Sequence, residues 1–138
     1  MSLKLEITYE LTFDVIGIVS SDREYKLAWL LNHLLQIRLI KQNDIAIPFA
    51  KQQLIISHLE FKTEHESIRL IKNKTYENPR KSISYTLPEL KNYDFFLLVE
   101  NSGITQEIWQ LLRNSSQIQY ASVINKNAIK SKENLFFD

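Results

Sequence analysis

Three carboxylates stand beside the most apolar stretches of this chain: Asp14, Glu89 and Asp94. If two of them shared a pocket, repulsion would raise the pKa of one, and the pair could work as general acid and general base. The alternative is that each acid caps a turn or pairs with a basic side chain at the rim of a sheet. Residues 88–92 have the proline and asparagine content of a turn, which favours this second interpretation. The first predicts an enzyme or small-molecule binder that uses these acids.

Metal and cofactor chemistry have little support in the sequence. The histidines are His33, His58 and His65, no pair of them has the i, i+4 spacing of a helical zinc site, and there is no cysteine. We expect all three on the surface, with His58 on the outer face of its strand. Gly17 and Gly103 are the only glycines, too few for a glycine-rich phosphate loop. The chain also lacks a G-x-S-x-G nucleophile elbow. We therefore predict no metal and no cofactor.

The segment 62–81 is mildly basic and carries tyrosines nearby, which raises the alternative of an RNA-binding surface. Acidic residues interrupt it, however, and the net charge of the whole chain is only +1. A solvated face is the better account, and nucleic acid is not the expected partner. The basic residues concerned are Lys62, Arg69, Lys72, Lys74, Arg80 and Lys81, and the interrupting acids are Glu64, Glu66 and Glu77.

One helix has aromatic side chains where polar ones are expected. Leucines spaced i, i+3, i+4 and i+7 form its core stripe, from Leu27 to Leu34. Stepping about 100° per residue places Tyr25, Trp29, Asn32 and Gln36 on the opposite side. One alternative is that these rings pack under a long loop or under the C-terminal segment with residues 135–137, as a second small core. The other is that they form a surface for a partner or for a second copy of the chain, because aromatics are enriched at the centres of interfaces.

These elements belong to an α+β fold. We predict a mostly antiparallel sheet of five to six strands with two main helices packed on it, in the order β-α-β-β-β-β-β-α-β. The central strand is 95–99, since it is apolar on both faces. Before this strand we predict a strand over 3–19 that bends near Asp14 or Gly17, a helix from a capping box at 21–24 to Gln36, and a short strand at 37–40. A loop at 42–51 follows, then a hairpin of 54–62 with 67–72, a loop at 73–81 and a strand at 83–87. After the central strand we predict a helix at 104–114 and a strand at 118–124.

Composition predicts one ordinary globular domain over residues 1–138, with 126–138 as a candidate for a loosely attached C-terminal segment. Apolar residues make up 44% of the 138 positions and charged residues 24%. No window is long and apolar enough for a signal core or a transmembrane helix. We expect a cytoplasmic protein with no membrane partner, and the lack of cysteine agrees with a reducing compartment.

The stretch that begins Leu87-Pro88-Glu89 and ends Tyr93-Asp94-Phe95 resembles the signature of the bacterial IPExxxVDY family. Pro88, Glu89 and Asp94 match the signature, while Leu87, Tyr93 and Phe95 stand where it has Ile, Val and Tyr. Together with the stretches around 13–18 and 25–32, the likeness spans residues 13–100. The resemblance implies membership of a family of unknown function, and it supplies no catalytic residues.

The resulting prediction is a bacterial protein, from a family of unknown function, that acts as a non-enzymatic protein-interaction module. Its partner would be another protein, or a second copy of the same chain in a homodimer. The residues on which this depends are Tyr25 and Trp29, with Asn32 and Gln36 as their polar neighbours.

Overall fold

The computed structural model describes residues 11–49, 52–78, 83–100 and 102–135. Within these residues the chain forms two α-helices and ten β-strands. The elements are β1 (Asp14–Val19), α1 (Glu24–Leu35), β2 (Ile40–Lys41), β3 (Ile45–Phe49), β4 (Gln52–Ile56), β5 (His58–Lys62), β6 (Ser67–Lys72), β7 (Lys74–Asn78), β8 (Ile83–Tyr85), β9 (Phe95–Val99), α2 (Thr105–Asn114) and β10 (Tyr120–Val123).

The larger sheet has six strands in the order β10-β1-β9-β6-β5-β2, and every pair in it is antiparallel. β9 lies inside this sheet between β1 and β6, and all five of its residues are buried. A strand that is apolar on both faces can only be stable where both faces are covered. The α+β fold and the central position of the 95–99 strand are therefore confirmed.

The two helices pack on one face of this sheet. Alternate residues of β9 (Phe95, Leu97 and Val99) form a core with the buried leucines of α1 and with Ile108 and Leu112 of α2. This is the arrangement that the leucine stripe of α1 predicts, because residues at i, i+3 and i+4 share one side of a helix.

The opposite face is covered by a second sheet that the sequence did not predict. This sheet has four strands in the order β3-β4-β7-β8. Its Leu54 and Ile56 pack with Phe96 and Leu98 from the other side of β9. One residue, Ser57, separates β4 from β5, and one residue, Asn73, separates β6 from β7, so a single long hairpin bends and contributes to both sheets.

Three predictions about this region were wrong. The expected loop at 42–51 contains β3, whose Pro48 is tolerated because β3 is an edge strand. The expected loop at 73–81 contains β7, a polar strand fixed by its ladder partners rather than by apolar alternation. The expected strand at 54–62 is two strands in different sheets. Of the short strand expected at 37–40, only Ile40 lies in a strand, the two-residue β2. Residues 79–82 lie outside the described ranges.

The start of α1 also differs from the prediction. Arg23 is the N-cap residue, in an extended conformation, and no side chain caps the helix. The expected capping box is absent because the helix begins at Glu24, so that Ser21 and Glu24 do not occupy the N-cap and third helical positions. The Glu24 carboxylate instead accepts a hydrogen bond from the Ser57 hydroxyl at 2.9 Å. Residues 3–10 of the strand predicted over 3–19 lie outside the described chain. β1 runs through Gly17 without a break in its pairing.

The chain after β10 packs against the second core. Ile129 and Leu135, from the segment that the sequence made a candidate for loose attachment, are 2% and 1% exposed. Residues 136–138 lie outside the described part. Among the described residues, no helix has the length and apolar character needed to cross a bilayer.

The free edge of β10 is partly closed by a side chain of α2. Ile124 donates its backbone N–H to the carbonyl of Val15 at 2.8 Å, so the alternation of an antiparallel pair turns the polar backbone groups of Ala121 and Val123 outward. The indole N–H of Trp109 donates to the outward carbonyl of Ala121 at 2.9 Å. The indole therefore stands where the next strand would have to pair.

Candidate functional site

The outer side of α1 exposes two large aromatic rings. Tyr25 is 71% exposed and Trp29 is 65% exposed, while Leu27 and Leu31 on the opposite side of the helix are fully buried. Helical spacing alone predicts this placement. Neither ring is buried by the described part of the chain.

The predicted C-terminal cover lies elsewhere as far as the structure describes it. Leu135 is buried in the core between the two sheets, on the face of the larger sheet that is opposite to α1. Phe136 and Phe137 lie outside the described residues. The part of the segment that can be followed therefore leads away from Trp29.

A groove of about 530 Å³ lies at the C-terminal end of this helix. Trp29 forms one wall, and its ring stacks on His33 with a centroid separation of 5.6 Å and an angle of 14° between the planes. Arg38 and Phe61 contribute to the rest of the lining, with Asn32, Gln36 and Ile37. The i, i+4 spacing of Trp29 and His33 was a usable signal for their contact. Phe61 comes from β5, and nothing local in the sequence links it to this helix.

Asn32 and Gln36 belong to the groove lining, but their polar atoms hold the helix end together. The side-chain oxygen of Asn32 accepts the backbone N–H of Leu39 at 2.8 Å. Gln36 has a left-handed conformation (φ 55°, ψ 47°), and its amide nitrogen donates to the carbonyl of His33 at 2.8 Å. These two residues therefore shape the groove, while Trp29 and Arg38 contribute exposed side chains to its lining.

A second concavity of about 500 Å³ lies at the N-terminal end of α1. Tyr25 and Phe95 line it together with Arg23 and Lys72, and with Asp22 and Glu24. We call the surface made by Tyr25, Trp29 and His33, together with the groove and this second cleft, the α1 face.

The two acids beside this cleft already have basic partners. Asp22 pairs with Lys26 at 3.7 Å along the helix surface, and Glu24 pairs with Lys41 at 3.6 Å. The Lys41 ammonium also donates to the hydroxyl of Ser57, which in turn donates to Glu24. This cluster connects the start of α1 and β2 to the bend between β4 and β5.

The three carboxylates proposed as an acid–base group contact three different elements. Asp14 accepts a hydrogen bond from the Thr105 hydroxyl at 2.7 Å and pairs with Lys126 at 3.2 Å. The register of β1 with β9 puts Asp14 opposite Val99 at one end of β9, whereas Asp94 precedes Phe95 at the other end, about 17 Å away along the strand at the usual rise. Each acid has a structural partner of its own, and the described geometry does not bring Asp14 and Asp94 together.

The other two acids stabilise backbone. Asp94 accepts the N–H of Ser20 at 2.9 Å. Glu89 accepts the N–H of Ser131 through both carboxylate oxygens, at 3.3 and 3.2 Å, and so holds the C-terminal segment. Pro88 begins a single turn of 3₁₀ helix. The signature-like residues thus have identifiable structural roles.

Asn73 is the centre of this part of the structure. It is fully buried at the bend between β6 and β7. Its side-chain nitrogen donates to the carbonyls of Leu90 and Tyr93 at 3.0 and 2.8 Å, and its side-chain oxygen accepts the N–H of Leu87 at 2.9 Å. All three bonds go to the segment that carries the signature-like residues, so Asn73 fixes its path.

The histidines do not converge on a metal site. In the described residues, no group of three or more His, Cys, Asp or Glu side chains is arranged to hold a metal ion. His33 and His65 are exposed, as expected. The prediction for His58 was wrong, because the unpredicted second sheet covers the face on which it lies and leaves it 6% exposed. Burial lowers the pKa of His58, and the nearby charges of Lys41 and Arg69 lower it further.

The basic segment 62–81 does not form one patch in the part that the structure describes. Arg69 is neutralised by Glu60, with its Nε 2.7 Å from a carboxylate oxygen. Lys62 and Lys74 are exposed on different sheets, and Lys72 lines the cleft at the start of α1. Arg80 and Lys81 lie outside the described residues.

Comparison with known proteins adds no assignment. No family model matches the chain, and no curated protein matches it at a significant level.

Proposed function

We propose that this protein is a non-enzymatic protein-interaction module and that the α1 face is its docking surface. The observation that carries the proposal is the exposure of Tyr25 and Trp29, at 71% and 65%, on a helix whose other side is fully packed. Large rings beside a groove are typical of the anchoring positions of interfaces, because they bury much area with few rotatable bonds. Acid–base catalysis is the less favoured function, since Asp14, Glu89 and Asp94 each bind a different structural partner.

The partner in this proposal is another protein chain. Self-association is its simplest form, in which a second copy supplies the docking segment and the protein is a homodimer. Light scattering after gel filtration measures the solution mass directly. A dimer of the wild-type chain that becomes a monomer in Trp29→Ala would support the homodimer, and a monomeric wild type would rule it out.

Docking itself can be tested with a display library of random twelve-residue peptides. We expect the wild type to select peptides that the Trp29→Ala variant does not bind. The matched control is Trp109→Phe, which alters the other tryptophan. Because Trp29 is exposed, Trp29→Ala should leave the unfolding free energy within about 0.5 kcal/mol of wild type. Leu30→Ala on the same helix, at a buried position, should lower it by about 2–5 kcal/mol.

Selected peptides that bind Trp29→Ala as well as wild type would contradict docking at the α1 face. A Trp29→Ala variant that unfolds like Leu30→Ala would also contradict it, because the ring would then belong to the core.

Two further assignments belong to this proposal. We propose that the chain is a member of the IPExxxVDY family, supported by Pro88, Glu89 and Asp94 and by their structural roles; a family member in which the equivalent residues lack these backbone contacts would count against it. We also propose a cytoplasmic location, supported by the lack of cysteine. An alkaline phosphatase fusion that is active in the periplasm would exclude it.

A further inference from the structure

The charges around the α1 face are unbalanced. Its acids, Asp22 and Glu24, are paired with lysines. Arg23, Lys72 and Arg38 line the two concavities, and none of them has an acidic partner within 4 Å in the ranges that the structure describes. The face therefore presents three unmatched positive charges.

These charges lie at both ends of the exposed rings. Arg23 and Lys72 line the cleft before Tyr25, and Arg38 lines the groove beyond Trp29. α1 has 12 residues, and the helical rise makes it about 18 Å long. A chain lying along the helix would meet positive charge, then an apolar middle, then positive charge.

We propose that the docking partner is an acidic peptide segment, with one or two apolar side chains against Trp29 and Phe61 and with carboxylates toward the two basic ends. This inference rests on the proposed function and adds the chemistry of the partner. Charge complementarity supports this proposal, because like charges that face each other across an interface weaken binding, whereas opposite charges speed up association. The C-terminal end of α1 carries about half a negative charge from the helix dipole, which offsets part of the positive charge of Arg38. Arg23 and Lys72 therefore supply the larger share of the attraction for an acidic partner.

Two other occupants fit the same surface less well. A second copy that docked by the same face would bring the unmatched cations of both copies together. Single-stranded nucleic acid uses rings and cations too, but it needs a positive track along its backbone. Here Asp22 and Lys26 neutralise each other beside the rings, and the net charge of the chain is only +1.

The test begins with the peptides that the wild-type chain selects and Trp29→Ala does not. We expect these peptides to be enriched in Asp and Glu on both sides of an apolar residue. One such peptide, labelled with fluorescein, is then titrated by fluorescence anisotropy. Its affinity should fall severalfold between 50 and 300 mM NaCl. This range goes from weak to strong screening, because the Debye length falls from about 14 Å to about 6 Å.

Charge reversal supplies the matched comparison. Arg23→Glu/Lys72→Glu should weaken binding of this peptide about tenfold, and Arg38→Glu should weaken it about threefold, on the scale of exposed ion pairs that are lost and replaced by repulsion. Lys74→Glu/Lys130→Glu changes the net charge equally at exposed positions on other elements and should leave binding unchanged. Circular dichroism verifies that each variant is folded.

The outcomes separate this inference from the function on which it rests. Trp29-dependent peptides without acidic enrichment, or equal effects of the two double variants, would overturn the acidic partner and leave docking intact. If no Trp29-dependent peptide is selected, both proposals fall. Tight binding of a twelve-residue oligothymidylate that is lost in Trp29→Ala would overturn the acidic peptide in favour of nucleic acid, and a wild-type dimer abolished by Trp29→Ala would overturn it in favour of a second copy.

Discussion

The contact between Gly17 and Tyr93 gives a prediction whose sign is informative. A Gly→Ala change inside a regular strand normally stabilises a protein by about 0.5–1 kcal/mol, because the unfolded chain loses freedom. At Gly17, however, an added Cβ would lie 2.6 Å from Cε1 and 2.8 Å from Cγ of the Tyr93 ring. That ring packs between Phe96 and Tyr120, with centroids 5.9 and 6.3 Å away, so it cannot move aside freely. Overpacking of this kind costs about 1–3 kcal/mol. We therefore expect Gly17→Ala to lower the unfolding free energy by a net amount of about 0.5–2 kcal/mol.

Urea denaturation followed by circular dichroism measures this change as a lower midpoint at an unchanged slope. The same substitution in a Tyr93→Ala background is the control, because alanine has none of the Cγ, Cδ and Cε atoms that meet the added Cβ. There the clash is removed, and Gly17→Ala should be neutral or stabilising, which gives a coupling energy between the two positions. A higher midpoint for Gly17→Ala in the wild-type background would refute the reasoning. An equal loss in both backgrounds would show that the ring is not the cause.

Two other predictions concern buried polar groups. Asn73→Ala should lower the unfolding free energy by about 3 kcal/mol, because the backbone N–H of Leu87 and the carbonyls of Leu90 and Tyr93 lose their hydrogen bonds to the buried Asn73 side chain. The exposed Asn92→Ala serves as the control, with a change below about 0.5 kcal/mol. Similar urea midpoints for the two variants would contradict this role of Asn73. The second prediction is a loss of stability on acidification. The pKa of His58 is lowered by burial and by Lys41 and Arg69, so the unfolded chain binds its proton near pH 6.5 and the folded chain only at a lower pH. The stability that depends on His58 remaining neutral is therefore fully present above about pH 6.5. This part of the unfolding free energy is lost as the pH falls toward the pKa of His58 in the folded chain. Urea midpoints between pH 7.5 and 5 should fall less steeply in His58→Gln, and an identical pH profile for the variant would exclude His58 as the cause.

Features that depend on neighbouring residues could be predicted from the sequence. The i, i+3, i+4 leucines fixed which side of α1 is buried, and that also determined that Tyr25 and Trp29 face outward. The five apolar residues of β9 predicted a strand covered on both faces. In both cases the physical signal lies within a single element.

Features that depend on distant partners could not be predicted. β3 contains Pro48 and is a strand because it pairs with β4, and the polar β7 is a strand because it pairs with β4 and β8. Once the second sheet was missed, the burial of His58 was missed as well, because that sheet is what covers it. The groove beside Trp29 needs Phe61 from β5, and no local pattern connects the two.

The position of Trp109 at the outer edge of β10 has a consequence for how this protein behaves in a crowded cell. An exposed edge strand can pair with strands of other chains, which can lead to aggregation and fibre growth. In the larger sheet, the Trp109 indole lies across the edge at β10, and the other edge strand, β2, is only two residues long. With both edges of the larger sheet obstructed, the molecule can keep exposed rings on α1 without the larger sheets of separate copies joining edge to edge.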